Sequence, residues 1–442
     1  VNNQFLNAQE YANVMLLLLK NQLVFGKLVD GQFKDEVTDE NGLTINVKRP
    51  PRFIDKKDGT ANLAAQDLIV GTAPVTVDQY SKVHISVGDI EYIQSFNALM
   101  QNETMKSAAS TLAHSVDKFI ASQTLKFNSW VAGTAPGTVS GDATDPTKII
   151  ASPAQAMAGH TRLMAQGAPN SALSGVVTFD DGQAIRGSLL SSFTPTLNPT
   201  ALEKVRIPMI SEVDWFASQQ LPIITTGTRV QGDGTSAGAQ IDGGAQNVNY
   251  RNVKGTPGAI GMTQTLLLKT GGNAKTVKKG EVFTIQNVFA WDWRAQQALP
   301  YLQQFTVLAD AVSSAGGAIT LTISPAIIAA GTNDGTSTDA NNAFGTVDSI
   351  PADSVFIQYA GALSTKLTVK PVFNKRAISM VSARLQMPFT GVASFVADPD
   401  TGVAIRYWRG SDISTGAHVH RWDMMYGAEV MDPSLGTRVC GT

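Results

Sequence analysis

The stretch KKGEVFTIQNVFAWDW, residues 278–293, alternates like a half-buried strand, and it sits in the middle of the chain. Three more alternating runs accompany it: QTLLLKT (264–270), QFTVLADAV (304–312) and AITLTISP (318–325). Between residues 228 and 350 the composition is rich in Gly, Thr, Ser, Asn and Ala, with no convincing amphipathic helix. Strands at regular spacing with turn residues between them predict a small barrel or sandwich. In the first strand, Phe283 and Ile285 are expected in the barrel core, with Val282 and Thr284 facing the other way. Trp291 and Trp293 then fall near the strand's exit. Both flanks read as mixed α/β, so the β segment is an insertion into another domain.

On the N-terminal flank, residues 7–25 predict a helix, with Asn7 as cap and Glu10 at the capping-box position. Its apolar run, residues 14–19, is far shorter than the ~20 residues that span a bilayer, so it reads as a buried helix. Alternation at 43–48 and again at 81–89 predicts two strands of a projecting arm. Residues 52–80 between them are charged at first, then Gly/Ala/Pro-rich. Loops of that length are usually functional, and an arm with no partner in its own chain is expected to lie on a neighbour. Its cations Lys48, Arg49, Arg52, Lys56 and Lys57 are candidate inter-subunit contacts, solvated surface being the plain alternative. Asp242 and Arg251, in the irregular segment 240–252, are further candidates.

Residues 100–127 predict a long spine helix, with Met105, Ala109, Leu112, Val116, Phe119 and Ile120 on one stripe. After a polar loop, Ser152-Pro153 opens a helix that runs to Gln166 and stops at Gly167. A short buried strand at 176–179 and a helix capped by Asp180 follow. Six segments result: 1–35, an N-terminal arm and helix; 36–90, the extended hairpin loop; 91–149, a peripheral domain with the spine; 150–225, the first part of an axial α/β domain; 226–366, the β-barrel insertion; and 367–442, the return.

Chemistry finds little footing. The 442 residues carry a net charge of −2, without the basic excess that nucleic-acid wrapping needs. The single cysteine, Cys440, excludes a disulfide within the chain and a Cys-rich metal site. GTSAG places Ser236 in a G-x-S-x-G pattern, yet the strand before and helix after that a nucleophile elbow requires are missing. His418 and His420 share one face of a strand near Asp423, without an identifiable third metal ligand. Residues 331–339 lack the spacing of a calcium loop. No catalytic residue, cofactor or metal is assigned, and the chain reads as a non-enzyme.

Several stretches, taken in order, carry a family resemblance: NNQFLNAQEYANVMLLLLKNQLVFGKLV, LTINVKRPPRF, EVDWFASQQLPIIT, KGEVFTIQNVFA, VKPVFNKRAISMVSARLQMP and RWDMMYGAEVMDP. They resemble tailed-bacteriophage major capsid proteins with the Hong-Kong-97-like fold, of the type with an inserted β-barrel domain, as in the Salmonella phage P-twenty-two coat. The resemblance implies an α+β capsid fold with N-terminal arm, extended hairpin, spine helix and axial domain. It implies self-assembly into pentamers and hexamers of an icosahedral virion shell, built in the host cytoplasm. Scaffolding and portal proteins, a decoration protein in some cases, and packaged double-stranded DNA held without sequence readout are the implied partners; no membrane is. Another virion component, tail or decoration, is the competing reading, and a serine hydrolase using Ser236 a distant third.

Overall fold

A computed structural model of the chain describes residues 8–32, 43–49, 51–55, 71–87, 104–132, 150, 153–192, 207, 209–230, 239–243, 246–250, 262–270, 272–332, 338–388, 391–398, 401–412 and 417–440. The chain divides into two compact units, one of Val1–Val47, Pro74–Gln123 and Ile378–Met431, the other of Lys48–Ala73, Thr124–Ala377 and Asp432–Thr442.

The first unit is two helices on a sheet. The helix Ala8–Gln22 buries Tyr11, Met15 and Leu19 at fourfold spacing. The spine, Met105–Gln123, buries Met105, Ala109, Leu112, Val116 and Ile120, as its stripe predicts. Phe119 meets Tyr426 edge-on, with ring centroids 5.6 Å apart. Both helices end earlier than the sequence suggests, the spine at Gln123 before a 3-10 turn at Thr124–Lys126. The first ends at Gln22, before a short helix Phe25–Leu28, and Asp117 holds the turn between them by accepting from the Val24 and Gly26 amides at 2.8 and 3.1 Å. The long strand Ala417–Val430 pairs with Gln79–Val87, Ile378–Ala383 and Ala404–Asp412, and the last of these pairs with Val392–Ala397. On one of its faces Trp422, Met424 and Tyr426 are buried, and Tyr407 stacks between Trp422 and Tyr11.

The arm departs from its sequence reading. Thr44–Lys48 pairs with Thr72–Thr76, while Gln79–Val87, expected as its partner, lies along Ala417–Val430 of the same chain. Pro74 hid the true partner: proline is tolerated on an edge strand but reads as a breaker. The small sheet is also covered within the unit, since Ile45, Val47, Val75 and Val77 are buried with Val381 and Ala383.

The second unit holds two β structures. One is a mixed sheet in the order Ser129–Ala132, Gly436–Cys440, Lys370–Asn374, Leu173–Val177, Val213–Ala217, with parallel pairing at both ends. Its central strands are buried along their whole length, as strands covered on both faces must be. The helix Pro153–Ala165 packs close enough that a Cβ on Gly159 would lie 2.6 Å from Val439 Cγ2, so glycine is required there. Gly167, at φ +79°, ends that helix in the left-handed conformation. The next strand is Leu173–Val177, earlier than the expected 176–179, and Thr178, not Asp180, caps the helix Phe179–Ser192. The Thr178 hydroxyl accepts from the Asp181 amide at 3.1 Å while Asp181 accepts from the Thr178 amide at 3.0 Å, a reciprocal capping pair.

The other is a six-stranded sheet, Ile357–Tyr359, Val282–Asp292, Gln297–Val307, Ala318–Ser324, Gln264–Lys269, Gln240–Ile241. Its first and last strands meet again through the Gln240–Phe356 bridge and the Ile241 amide on the Val355 carbonyl (2.9 Å), so the sheet closes into a barrel. Phe283 and Ile285 lie in its core with Leu266, Phe305 and Leu321, as expected. Val282 and Thr284 face the other way yet are also buried, and Val282 packs with Trp130, Ile224 and Leu367. A short helix, Asp339–Phe344, interrupts a region expected to be helix-free. The inbound strand Ile223–Thr225 and the outbound strand Lys366–Thr368 are antiparallel neighbours at the neck of the barrel.

Candidate assembly interface

Buried charges and a buried amide fix the second unit's interior. Gln304 donates to the Trp130 carbonyl at 2.9 Å and accepts from the Trp130 amide at 2.8 Å, so a barrel side chain extends the mixed sheet's backbone pairing. The fully buried Arg438 guanidinium donates to the carbonyls of Gly280 and Phe127 and to the Thr306 hydroxyl, and burial lowers its pKa to about 9. At the neck, Arg229 and Glu281 form a buried ion pair at 3.0 Å, with Arg229 also donating to the Ala360 and Gly361 carbonyls at 2.8 Å. Burial raises the Glu281 pKa, against the pull of Arg229 and two backbone amides. Under the mixed sheet, Lys370 meets Asp181 at 2.7 Å, both nearly without solvent.

The surface candidates separate into two groups. Lys48 is exposed at the end of its strand. Arg49 and Arg52 are half-buried, and the charges of both bear on Tyr250, whose ring stacks on Phe344 at 3.7 Å. Arg52 also lies 5.2 Å over the Trp293 ring and 3.7 Å from Asp432. It is thus engaged inside its own chain. Asp242 is half-buried and pairs with Lys269 at 3.1 Å, which Asp353 shares at 3.6 Å. Lys56, Lys57 and Arg251 lie outside the described residues, as do Ser236 and its GTSAG pattern.

The histidine pair is divided by its surroundings. His420 is buried, with Nδ1 2.7 Å from the Tyr407 hydroxyl, and burial, helped by Arg409 and His418, lowers its pKa to about 4. Asp423 lies on the opposite face of the strand, paired with Arg406 and Arg421. Among the described residues no group of three possible ligands gathers to hold a metal, and no helix is long and apolar enough to cross a membrane. Sequence reasoning missed Arg162, Arg229 and Arg438, because an arginine in a polar context reads as surface.

A family model described as the P22 coat protein, gene protein 5, matches residues 9–441. No curated protein matches the chain. Among solved structures, the capsid of Ralstonia phage GP4 is similar at 7% identity over 96% of this chain and 91% of that one, with a TM-score of 0.48. A Mycobacterium phage Che8 chain is similar at 13% identity over 94% of this chain and 90% of that one, at 0.45. The CUS-3 coat protein I-domain is 24% identical over 28% of this chain and 96% of that one, at 0.21.

Proposed function

The chain belongs to the P22 coat protein family, and from that premise we propose how its parts serve a shell. It is a major capsid protein that forms the phage capsid. The carrying observation is the match over residues 9–441, which includes the strands of both units.

The shell is read as icosahedral, built from pentamers and hexamers of this chain in the host cytoplasm, with a scaffolding protein during assembly and a portal at one vertex. It holds double-stranded DNA without sequence readout; the net charge of −2 supports this, since a strongly basic lining would bind the genome in a salt-dependent way. A decoration protein is a further partner in this reading, and the subunit performs no catalysis. Segment 226–366 serves as the insertion domain, supported by the neck pairing of Ile223–Thr225 with Lys366–Thr368. Segments 1–35, 91–149, 150–225 and 367–442 serve in the roles read from the sequence, and segment 36–90 serves as the extended loop without Gln79–Val87, which pairs with Ala417–Val430 of the same chain. Lys48, Lys56 and Lys57 on the arm, and Asp242 and Arg251 on the insertion, are the proposed inter-subunit charges. Arg49 and Arg52 instead brace the arm's base, in keeping with their engagement around Tyr250.

Size-exclusion chromatography and negative-stain imaging of the expressed chain, with and without co-expressed scaffolding protein, test the reading. Megadalton polyhedral shells support it. Tubes or rings would point to a tail part, and small oligomers alone would overturn it.

A further inference from the structure

We propose that one end of the first unit's sheet, around Lys82, Arg421 and Trp408, is a docking face for an acidic segment, residues 33–42, of a second copy of this chain. The inference rests on the capsid reading, which it deepens by naming a contact between subunits.

In an antiparallel pair, residues directly opposite each other share a face. Lys82, Asp423 and Arg406 therefore form one row across the sheet, and Arg421 and Trp408 lie in the next. This is the face opposite to the buried Trp422 and Met424. Its far end is covered, since Ile45, Val47, Val75 and Val77 pack there with Val381, Ala383 and Met425. Its near end is open: Lys82 and Arg384 are exposed, and Tyr80 is 43% exposed.

Cations and rings interleave at the open end. Arg421 lies 5.7 Å from the Trp408 ring and 5.8 Å from the Tyr80 ring, and it donates to the Tyr80 hydroxyl. Arg384 lies 5.3 Å over Phe395, which stands opposite Arg406. Stacking of this kind fixes a guanidinium without neutralising it. Among the described side chains here the one carboxylate is Asp423, which Arg406 and Arg421 both hold at 2.5 Å. Lys82 and Arg384 have no carboxylate partner among the described residues.

The chain carries a complement to this face. Residues 33–42, FKDEVTDENG, lie outside the described residues and hold Asp35, Glu36, Asp39 and Glu40 against one cation, Lys34. No other six consecutive residues of the chain hold four carboxylates, as 35–40 do. The face and the segment each carry an excess of three charges, opposite in sign. Complementary charge fixes register and rejects wrong partners. Every subunit offers both halves, which is what a head-to-tail contact needs to close a ring.

Two charge-reversed chains test this: Lys82→Glu/Arg384→Glu on the face, and Asp35→Lys/Glu36→Lys/Asp39→Lys/Glu40→Lys on the segment. Both face positions are exposed, so circular dichroism should match wild type. Like charges set against each other cost affinity steeply, so each variant alone should lower shell yield about tenfold. Yield should return when the two variants are mixed, and when all six changes share one chain. Recovery in the combined chain but not in the mixture places the segment on its own chain and overturns the proposal. So do wild-type yield from either variant and recovery in neither case. A face variant that assembles normally but loses binding to labelled duplex DNA assigns the face to nucleic acid, which also overturns it. Carbodiimide joins a carboxylate directly to an amine, and its readout needs no shell. With mixed light and isotope-labelled wild-type subunits, cross-links of Lys82 to residues 35–40 should join light to heavy chains. Cross-links only within one isotope, or none, overturn this contact independently of the capsid reading.

Discussion

Gln304 grips the backbone of Trp130 at both ends, donating to its carbonyl at 2.9 Å and accepting from its amide at 2.8 Å. One side-chain amide thereby does what a β-strand would do at the edge of the mixed sheet. It joins the barrel to the α/β layer without adding a strand.

Replacing Gln304 by Ala leaves a buried amide and a buried carbonyl without partners. Each such group costs about 1–3 kcal/mol, so a loss of about 3 kcal/mol is expected from urea unfolding of the free subunit. Gln297→Ala, at an exposed position on the same strand, should stay within about 0.5 kcal/mol of wild type.

Lys370→Met strands the buried Asp181 carboxylate, which retains only the Ile150 amide and the Thr178 donors. Breaking one side of a buried pair costs about 3–5 kcal/mol. The double variant Lys370→Met/Asp181→Leu should recover part of that loss, although it also removes the Asp181 half of the reciprocal cap with Thr178. Melting of the two variants side by side checks the order.

Two buried groups of the first unit should oppose each other in acid. Burial raises the Asp117 pKa from 3.8 to about 6, so its contribution is present in full below 3.8 and is lost as pH rises through about 6. The His420 pKa is instead lowered from 6.5 to about 4, so its contribution is present above 6.5 and lost as pH falls through about 4. Relative to wild type, Asp117→Asn should lose stability more steeply as pH falls from 6.5 to 4. His420→Gln should lose less, or gain. Denaturant midpoints across that range read both slopes, and parallel curves for all three proteins would contradict the assignment.

Removing residues 56–70 should leave a folded, soluble subunit that fails to form stable shells. The cut must stop short of Thr72–Thr76, because Val75 and Val77 are buried in the small sheet's core. Circular dichroism checks the fold and negative stain the assembly; normal shells would remove the arm's proposed role.

Much of this fold was legible because periodicity reports which face is buried. The spine stripe and the Phe283–Ile285 pair stand where their spacing puts them. Periodicity fails where both faces are covered, which is why Val282 and Thr284 look outward-facing in the sequence and are buried in the structure. It fails again where a special residue interrupts a strand, as Pro74 does in Thr72–Thr76.

The neck has one more consequence. Because Thr225 and Lys366 are cross-strand neighbours, a tight turn could join them and the host sheet would keep its register. Topologically, then, the barrel is a detachable cassette. Energetically it is not. Its loss would take Gly280 and Thr306 from Arg438 and Gln304 from Trp130, leaving a guanidinium and the Trp130 backbone amide and carbonyl bare at the host's surface. A graft at this point would therefore carry its own Gln and Thr equivalents, or the host would need Arg438 and Trp130 redesigned with it.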